Sequence, residues 1–372
     1  KFMRAKYGEG LRKFLVSKMN LRALVDFGDL PVFDAAAYPC IVIAEKGMSD
    51  MSLIQSAAIK TMEGLEDLRA ALVGGVPLKV SSLANGEWRI ADGETQLVFA
   101  KLRAAGNPLA EYVKGQIYYG IKTGLNDAFL IDESKRGDLI ATDPKSAEVI
   151  KPFIVGRDMK RWVITPADRY LIFTYRGIDI TQYPAIERHL SQFRERLEAR
   201  ATSHTHAWYE LQQPQMGIYP YFDKPKIVYP DIAPEARFTL DKNGDFYIGD
   251  TTFTLPLTDY FLLGILNSYI ATYVFSVISS QIRGGYLRFK TQYVSQLPIP
   301  NPSTESRERI ADLALRCLDA AQAAPGSLPA LEAELNALVY QAYGLDADDI
   351  AVIEGSAGRA RTAADSIDEG ND

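Results

Sequence analysis

Cysteine and histidine are scarce in this chain, with two cysteines and three histidines in 372 residues. Cys40 and Cys317 lie far apart, each in an apolar stretch, which excludes a disulfide framework and predicts reduced, buried thiols in a cytoplasmic protein. So few of these residues leave no Cys–His nucleophile pair, and no serine sits in a nucleophile-elbow motif. His204 and His206, in SHTHAW, have the spacing of metal ligands. No cysteine or placed carboxylate pair completes a set, so a polar loop is predicted and no metal site. A glycine-rich phosphate loop is absent, and DKNGD (241–245) lacks the full calcium-loop pattern. No basic-then-apolar leader opens the sequence, so export is not expected.

Acidic residues are missing from 260–304, where the only charges are Arg283, Arg288 and Lys290. The formal net charge of -6 is therefore unevenly spread: from residue 305 onward 5 Lys or Arg stand against 14 Asp or Glu, leaving 36 against 33 before it. A positive surface on a nearly neutral body is compatible with a nucleic-acid partner, and the acidity belongs to the C-terminal part. Residues 260–278 are uncharged, but Asn267, Ser268, Thr272 and Ser276 interrupt them and no second such run exists. A buried helix is expected there, and no membrane partner.

At 47% hydrophobic and 24% charged, the chain has material for two or three packed cores. The expected fold class is mixed α/β and α+β. An amphipathic helix over 7–19 places Leu11, Phe14 and Leu15 on one side, and strands follow at 24–27 and 40–44; a helix and two strands imply further sheet upstream. Residues 51–73 follow a helical period through Leu53, Ile54, Ala57, Ala58, Met62, Leu65, Leu68 and Leu72. Short strands dominate from 115 to about 302, interrupted by one helix starting at Pro184, and Asn243-Gly244 signals a hairpin. Two helical patterns meet at Pro325-Gly326 as a helical hairpin, and the composition beyond residue 355 predicts a disordered tail.

Three stretches carry candidate chemistry. In QIYYGIKTGLNDAFLID (116–132), two apolar, aromatic runs flank Lys122, Thr123, Gly124 and Asn126, as in a hairpin whose tip offers a cation, a hydroxyl and an amide. Such side chains suit phosphates and base edges, although an ordinary turn uses Gly and Asn for backbone reasons alone. In GRDMKRW (156–162), Arg157, Lys160 and Arg161 gather beside Trp162, suiting either phosphate contacts or a solvated turn. In SSQIRGGYLRFK (279–290), paired glycines allow close backbone approach while Arg283, Tyr286, Arg288 and Lys290 supply charge and stacking.

The first stretch resembles the GI-x-TG-x-N-x-AF box of the TaqI-like C-terminal specificity domain, the target-recognition half of certain DNA adenine methyltransferases. The likeness continues through VIKPFIVGRDMKRW (149–162), YPAIERHL (183–190), FRERLEAR (193–200), WYEL (208–211), KPKIVYPDI (224–232), ILNS (265–268), RGGYLRFK (283–290) and YVSQLPIP (293–300). Residues 21–46 resemble the last strands of the methyltransferase domain that precedes this region in the same family. The resemblance implies a C-terminal piece of a Rossmann-like methyltransferase domain at 1–47 and a helical spacer at 48–114. It further implies a β-rich target-recognition domain at 115–303; the helical patterns then place the hairpin at 304–345, and the composition a disordered tail within 346–372.

In that family, S-adenosylmethionine is held by a glycine-containing motif and a flipped adenine by an NPPY-type motif. Neither occurs here: the Asn-Pro pairs, Asn107-Pro108 and Asn301-Pro302, continue as NPLA and NPST. The expectation is sequence-specific duplex DNA recognition for an N6-adenine methyltransferase of restriction-modification or phage defence. S-adenosylmethionine is implied for the parent protein, whose upstream methyltransferase domain is an expected partner. The chain itself is expected to hold no cofactor and no catalytic residue. The residues implied to contact DNA are Lys122, Thr123, Asn126, Arg157, Lys160, Arg161, Arg283, Tyr286, Arg288 and Lys290, with Asn126 and Tyr286 reading bases. The alternative is a protein-interaction module of a defence complex without direct DNA binding.

Overall fold

Leu21, Leu24 and Val25 lie buried in the strand Met19–Asp26 (β1), around which one sheet is organised. The computed structural model describes all residues except 1, 4–5, 29, 34–37, 48–52, 60–61, 85–87, 89, 91–92, 280–284 and 357–372. The fold is mixed α/β. The chain divides into two units, Lys1–Ala104 with Ser276–Leu287 and Asp346–Asp372, and Ala105–Phe275 with Arg288–Leu345.

In the first unit, Cys40–Lys46 (β2), Leu53–Ala58 (β3) and Leu78–Lys79 (β4) join β1 in the order β2-β1-β3-β4. β1 is antiparallel to β2 and parallel to β3. One face packs Leu24, Ile54, Leu78 and Trp88 together, and the other packs Val25, Phe27, Ala57 and Ile59 against Leu68 and Leu72. The helical reading of 51–73 is therefore corrected. Leu53 to Ala58 form a strand because Ala57 and Ser56 pair with Val25 and Leu24; a single 3-10 turn follows at Glu63–Leu65, and α-helix starts only at Leu68–Val73, capped by Asp67. Leu53, Ile54, Ala57 and Ala58 satisfy either period, and the unsatisfied edge of β1 decides between them. The N-terminal helix is Glu9–Lys18, but it turns Arg12, Leu15 and Val16 inward and leaves Leu11 and Phe14 exposed. The tail expected from 346 is helical over 347–356: Lys101 binds Asp349 at 2.7 Å and Asp346 at 3.0 Å, and Ile353 is buried. Residues 357–372 of that tail lie outside the described residues.

The second unit holds two four-stranded sheets. The first runs Tyr247–Ile248, Ile150–Ile154, Tyr170–Ile172, Leu130–Ile131, and the second Thr239–Asp241, Lys226–Pro230, Thr252–Leu255, Tyr118–Tyr119. The helices Pro184–Ser191 and Arg194–Glu198 bury Ile186, Leu190 and Leu197 in a core with Phe129, Phe153, Leu171 and Ile248. Tyr118–Tyr119 pairs with Phe253 and Thr254, whereas Leu130–Ile131 pairs with Tyr170 and Leu171. The runs flanking the 122–126 turn thus belong to different sheets, so the predicted hairpin does not form. The hairpin expected at Asn243-Gly244 also fails, because Thr239–Asp241 pairs with Lys226–Pro230 and Tyr247–Ile248 with Ile150–Ile154. The turn survives: Gly244 has φ +75°, and Asp241 accepts the N–H groups of Gly244, Asp245 and Phe246.

The uncharged run 260–278 forms two helices, Tyr260–Asn267 and Tyr269–Ile278, bent by 59°. Among the described residues no single helix is long and apolar enough to cross a membrane. The helices Thr304–Ala323 and Leu328–Ala342 are joined at Pro325–Ser327, and bury Ile310, Leu313, Cys317, Leu335, Leu338 and Val339. Gly264 allows the close approach of this pair, since a Cβ there would stand 3.0 Å from Ile310 Cγ2.

Candidate nucleic-acid interface

Lys122 and Arg157, far apart in sequence, each follow a residue whose backbone bonds to the turn at 248–252, and Arg288 and Lys290 lie one link further away, beside Asp231. Ile121 N–H donates to Ile248 O at 2.7 Å and Gly120 N–H to Thr252 O at 2.9 Å, placing Lys122 next to this turn. Gly120 is required here, since a Cβ would stand 2.2 Å from Gly249 O. On its other side, Gly156 N–H donates to Thr251 Oγ1 at 3.1 Å, which anchors exposed Arg157. Asp231 N–H donates to Thr251 O at 2.9 Å, and Phe289 N–H to Asp231 O at 2.7 Å, so Arg288 and Lys290 flank the next anchor. Lys122, Arg157 and Lys290 are exposed and Arg288 is partly exposed.

Arg288 approaches Asp231 at 3.9 Å, a loose ion pair, and Asp231 Oδ1 is buried with no hydrogen-bond partner among the described residues. Beside it the Tyr229 hydroxyl is buried and likewise unmatched, while its ring stacks on Phe253 at 5.4 Å. Burial first, and the Asp231 charge second, hold this phenol well above its ordinary value.

Two of the candidate residues are enclosed and engaged internally. Arg161 is enclosed, its Nε 2.9 Å from Glu332 Oε1 and its Nη2 3.4 Å from Glu235 Oε2, so it is an internal ion pair. Thr123 is 5% exposed: its hydroxyl donates to Asn126 Oδ1 at 2.6 Å, and its carbonyl accepts from Gln212 N–H and Arg200 Nη1. Asn126 is exposed but begins the short helix Asn126–Phe129, with its amide oxygen occupied by Thr123. Lys160 is exposed on a two-residue strand, and Tyr286 is half-buried in the first unit. Arg283 lies outside the described residues. Of the thiols, Cys317 is buried as expected, whereas Cys40 is only half-buried.

Several motif residues are architectural. Asn267 pairs with Phe238 through both amide atoms, each at 2.9 Å, and fully buried Trp162 donates its Nε1–H to Glu332 at 2.7 Å. Lys226, fully buried, binds Asp241 and Phe222 O, which holds the 241–246 turn. Arg200 donates to the carbonyls of Leu197, Thr123, Trp208 and Glu210. Burial lowers its pKa from the ordinary value, aided by the Arg176 charge. Among the described residues no group of His, Cys, Asp and Glu is placed to hold a metal ion.

Residues 151–299 match the TaqI-like C-terminal specificity domain. The relatives are type II methyltransferases. The chain is 24% identical over 323 residues to M.PaeR7I of Pseudomonas aeruginosa, covering 81% of this chain and 54% of that protein. It is 24% identical over 361 residues to M.BanIII of Aneurinibacillus aneurinilyticus, covering 84% of this chain and 61% of that protein. The chain thus spans little more than half the length of these relatives. The fold is shared with the type IIL restriction-modification enzyme MmeI, solved in complex with DNA, at TM-score 0.57 and 13% identity, over 97% of this chain and 49% of that one.

Proposed function

We propose that this chain binds specific double-stranded DNA as the specificity part of an adenine-N6 methyltransferase of restriction-modification or phage defence, acting in the cytoplasm. The supporting observation is that Lys122 and Arg157 adjoin the 248–252 turn, while Arg288 and Lys290 flank Phe289, whose N–H bonds to Asp231 and through it to the same turn, in the region that matches the specificity family. Exposed cations on a surface of this kind bind phosphates and fix the protein on the duplex, while neighbouring polar side chains read base edges. Lys160, Asn126, Tyr286 and Arg283 remain candidates, each for a phosphate or a base.

S-adenosylmethionine does not fit the residues present. None of β1–β4 leads into a glycine-rich loop that opens a helix among the described residues, and both Asn-Pro pairs lie outside an NPPY motif. Asn107-Pro108 is itself part of a two-stranded pair with Pro298–Pro300. Methyl transfer is therefore assigned to the parent protein through its upstream methyltransferase domain, and the chain alone is expected to be inactive.

The test is fluorescence anisotropy with labelled duplexes of mixed sequence at increasing salt. Binding that weakens linearly in log–log form, with a slope set by several phosphate contacts, supports the reading. Salt-insensitive association with protein and no duplex binding would mark an interaction module instead.

A further inference from the structure

The 122–126 segment is joined by a second segment that no sequence motif marks. Lys122 and Gln213 form an antiparallel bridge, with Lys122 N–H to Gln213 O at 3.1 Å and Gln213 N–H to Lys122 O at 2.9 Å. Residues that exchange both hydrogen bonds in this way project their side chains from the same face, with Cβ atoms about 5 Å apart. Gln212 N–H to Thr123 O at 3.1 Å extends the pairing, and Gln215 Nε2 donates to Gly120 O at 3.1 Å. Lys122 and Gln213 are exposed, between buried Leu211 and Pro214 that anchor the segment. Tyr119, 44% exposed, reaches Gln213 Oε1 with its hydroxyl at 3.5 Å.

Two features set this pair of segments apart from an ordinary surface loop. Gln215 has φ +61°, a left-handed conformation uncommon outside glycine, and its own amide holds it there. Backbone strain sustained by a hydrogen bond fixes the positions of Gln213 and Lys122 before any ligand arrives. The chemistry is also selective. Residues 115–126 contain no acid, and 207–222 contain only Glu210, which is buried and spent on Gly177 N–H, Ala207 N–H and Arg176. The exposed polar and aromatic side chains of these two segments are Lys122, Gln213, Asn126 and Tyr119, and the Asn126 amide oxygen already accepts from Thr123.

Resting on the proposed duplex recognition, we infer that Gln213 reads an adenine in the major groove, with Lys122 on an adjacent phosphate and Tyr119 orienting the carboxamide. A glutamine amide both accepts from adenine N6 and donates to N7, a bidentate match that no other base offers. Buried Arg200 is the positioning residue, because its guanidinium ties the Thr123 carbonyl to those of Trp208 and Glu210 on the second segment.

The test selects bound duplexes from a randomised library with the 372-residue chain and its variants, each checked for an unchanged melting transition. Wild type should enrich a motif containing an adenine. Gln213→Ala and Gln213→Glu should lose roughly 5- to 150-fold discrimination at that one position. Lys122→Ala should instead weaken binding across all sequences and reduce the salt slope by about 1. Lys13→Ala, an exposed residue of the first unit, should keep the whole motif. An enriched motif that survives Gln213→Ala intact overturns the assignment of Gln213 and leaves duplex recognition standing. No enrichment by wild type overturns duplex recognition itself, and the assignment with it.

Discussion

The Arg161 guanidinium lies 2.9 Å from the Glu332 carboxylate, joining the GRDMKRW segment to the helix Leu328–Ala342 in the interior of the second unit. Trp162 donates to the same carboxylate oxygen at 2.7 Å. Removing Glu332 leaves the buried indole N–H without its acceptor and Arg161 with only the longer Glu235 contact at 3.4 Å. Glu332→Ala is therefore expected to cost about 1–3 kcal/mol of stability, measured by urea unfolding. Arg161→Ala should likewise act on stability first. A variant with normal unfolding and weakened duplex binding would return Arg161 to the surface contacts.

Arg288 and Asp231 predict the opposite sign. The carboxylate holds the guanidinium loosely at 3.9 Å and competes with any phosphate for it. Asp231→Asn should tighten duplex binding several-fold at low salt, whereas Arg288→Ala, Arg157→Ala and Lys290→Ala should each weaken it and lower the salt slope by about 1. Titration of labelled duplex across a salt series reads all four variants.

His189 carries a pH dependence. Its Nε2 contacts Ala128 O at 3.0 Å, Nδ1 is buried and unmatched among the described residues, and burial lowers its pKa from 6.5. Above pH 6.5 both folded and unfolded forms are neutral and the residue contributes nothing to the pH dependence. As pH falls below 6.5 the unfolded chain takes the proton first, so folding loses stability until the lower folded value is reached. Unfolding free energy measured from pH 7 downward should fall more steeply for wild type than for His189→Gln. Equal slopes would contradict the buried neutral ring.

Cys317 is fully buried in the helical hairpin, and burial pushes its thiol up to about 12. It should resist a thiol-specific chromogenic reagent at pH 8 in the native state and react once denaturant is added. Half-buried Cys40, its thiol raised mainly by burial, accounts for any native reactivity. Rapid native labelling of Cys317→Ser at one site and of Cys40→Ser at none is the expected contrast.

Local patterns served the sequence well where the partner of an element is its neighbour. The helix at Pro184–Ser191 and the hairpin of Thr304–Ala323 with Leu328–Ala342 follow from periodicity and flanking proline or glycine. They served poorly where the partner is distant. Tyr118–Tyr119 and Leu130–Ile131 read as a hairpin, yet their hydrogen bonds go to Phe253 and Leu171. Leu53–Ala58 fits a helix until β1 claims it. The same limit governs the candidate site. Arg288 and Lys290 stand out as charge in the acid-free stretch 260–304 and Arg157 by its clustering with Lys160 and Arg161, but nothing in GRDMKRW shows that Arg161 faces Glu332. Gln213 escaped notice because a single glutamine carries no spacing signal; its place beside Lys122 depends on a bridge between distant segments.

The most direct measurement is selection and sequencing of duplexes retained by the wild-type chain from a randomised pool, repeated at two salt concentrations. One enriched motif is expected, retained at both salts while total binding falls at the higher one. Retention of every sequence equally, or of none, would contradict target recognition by this chain.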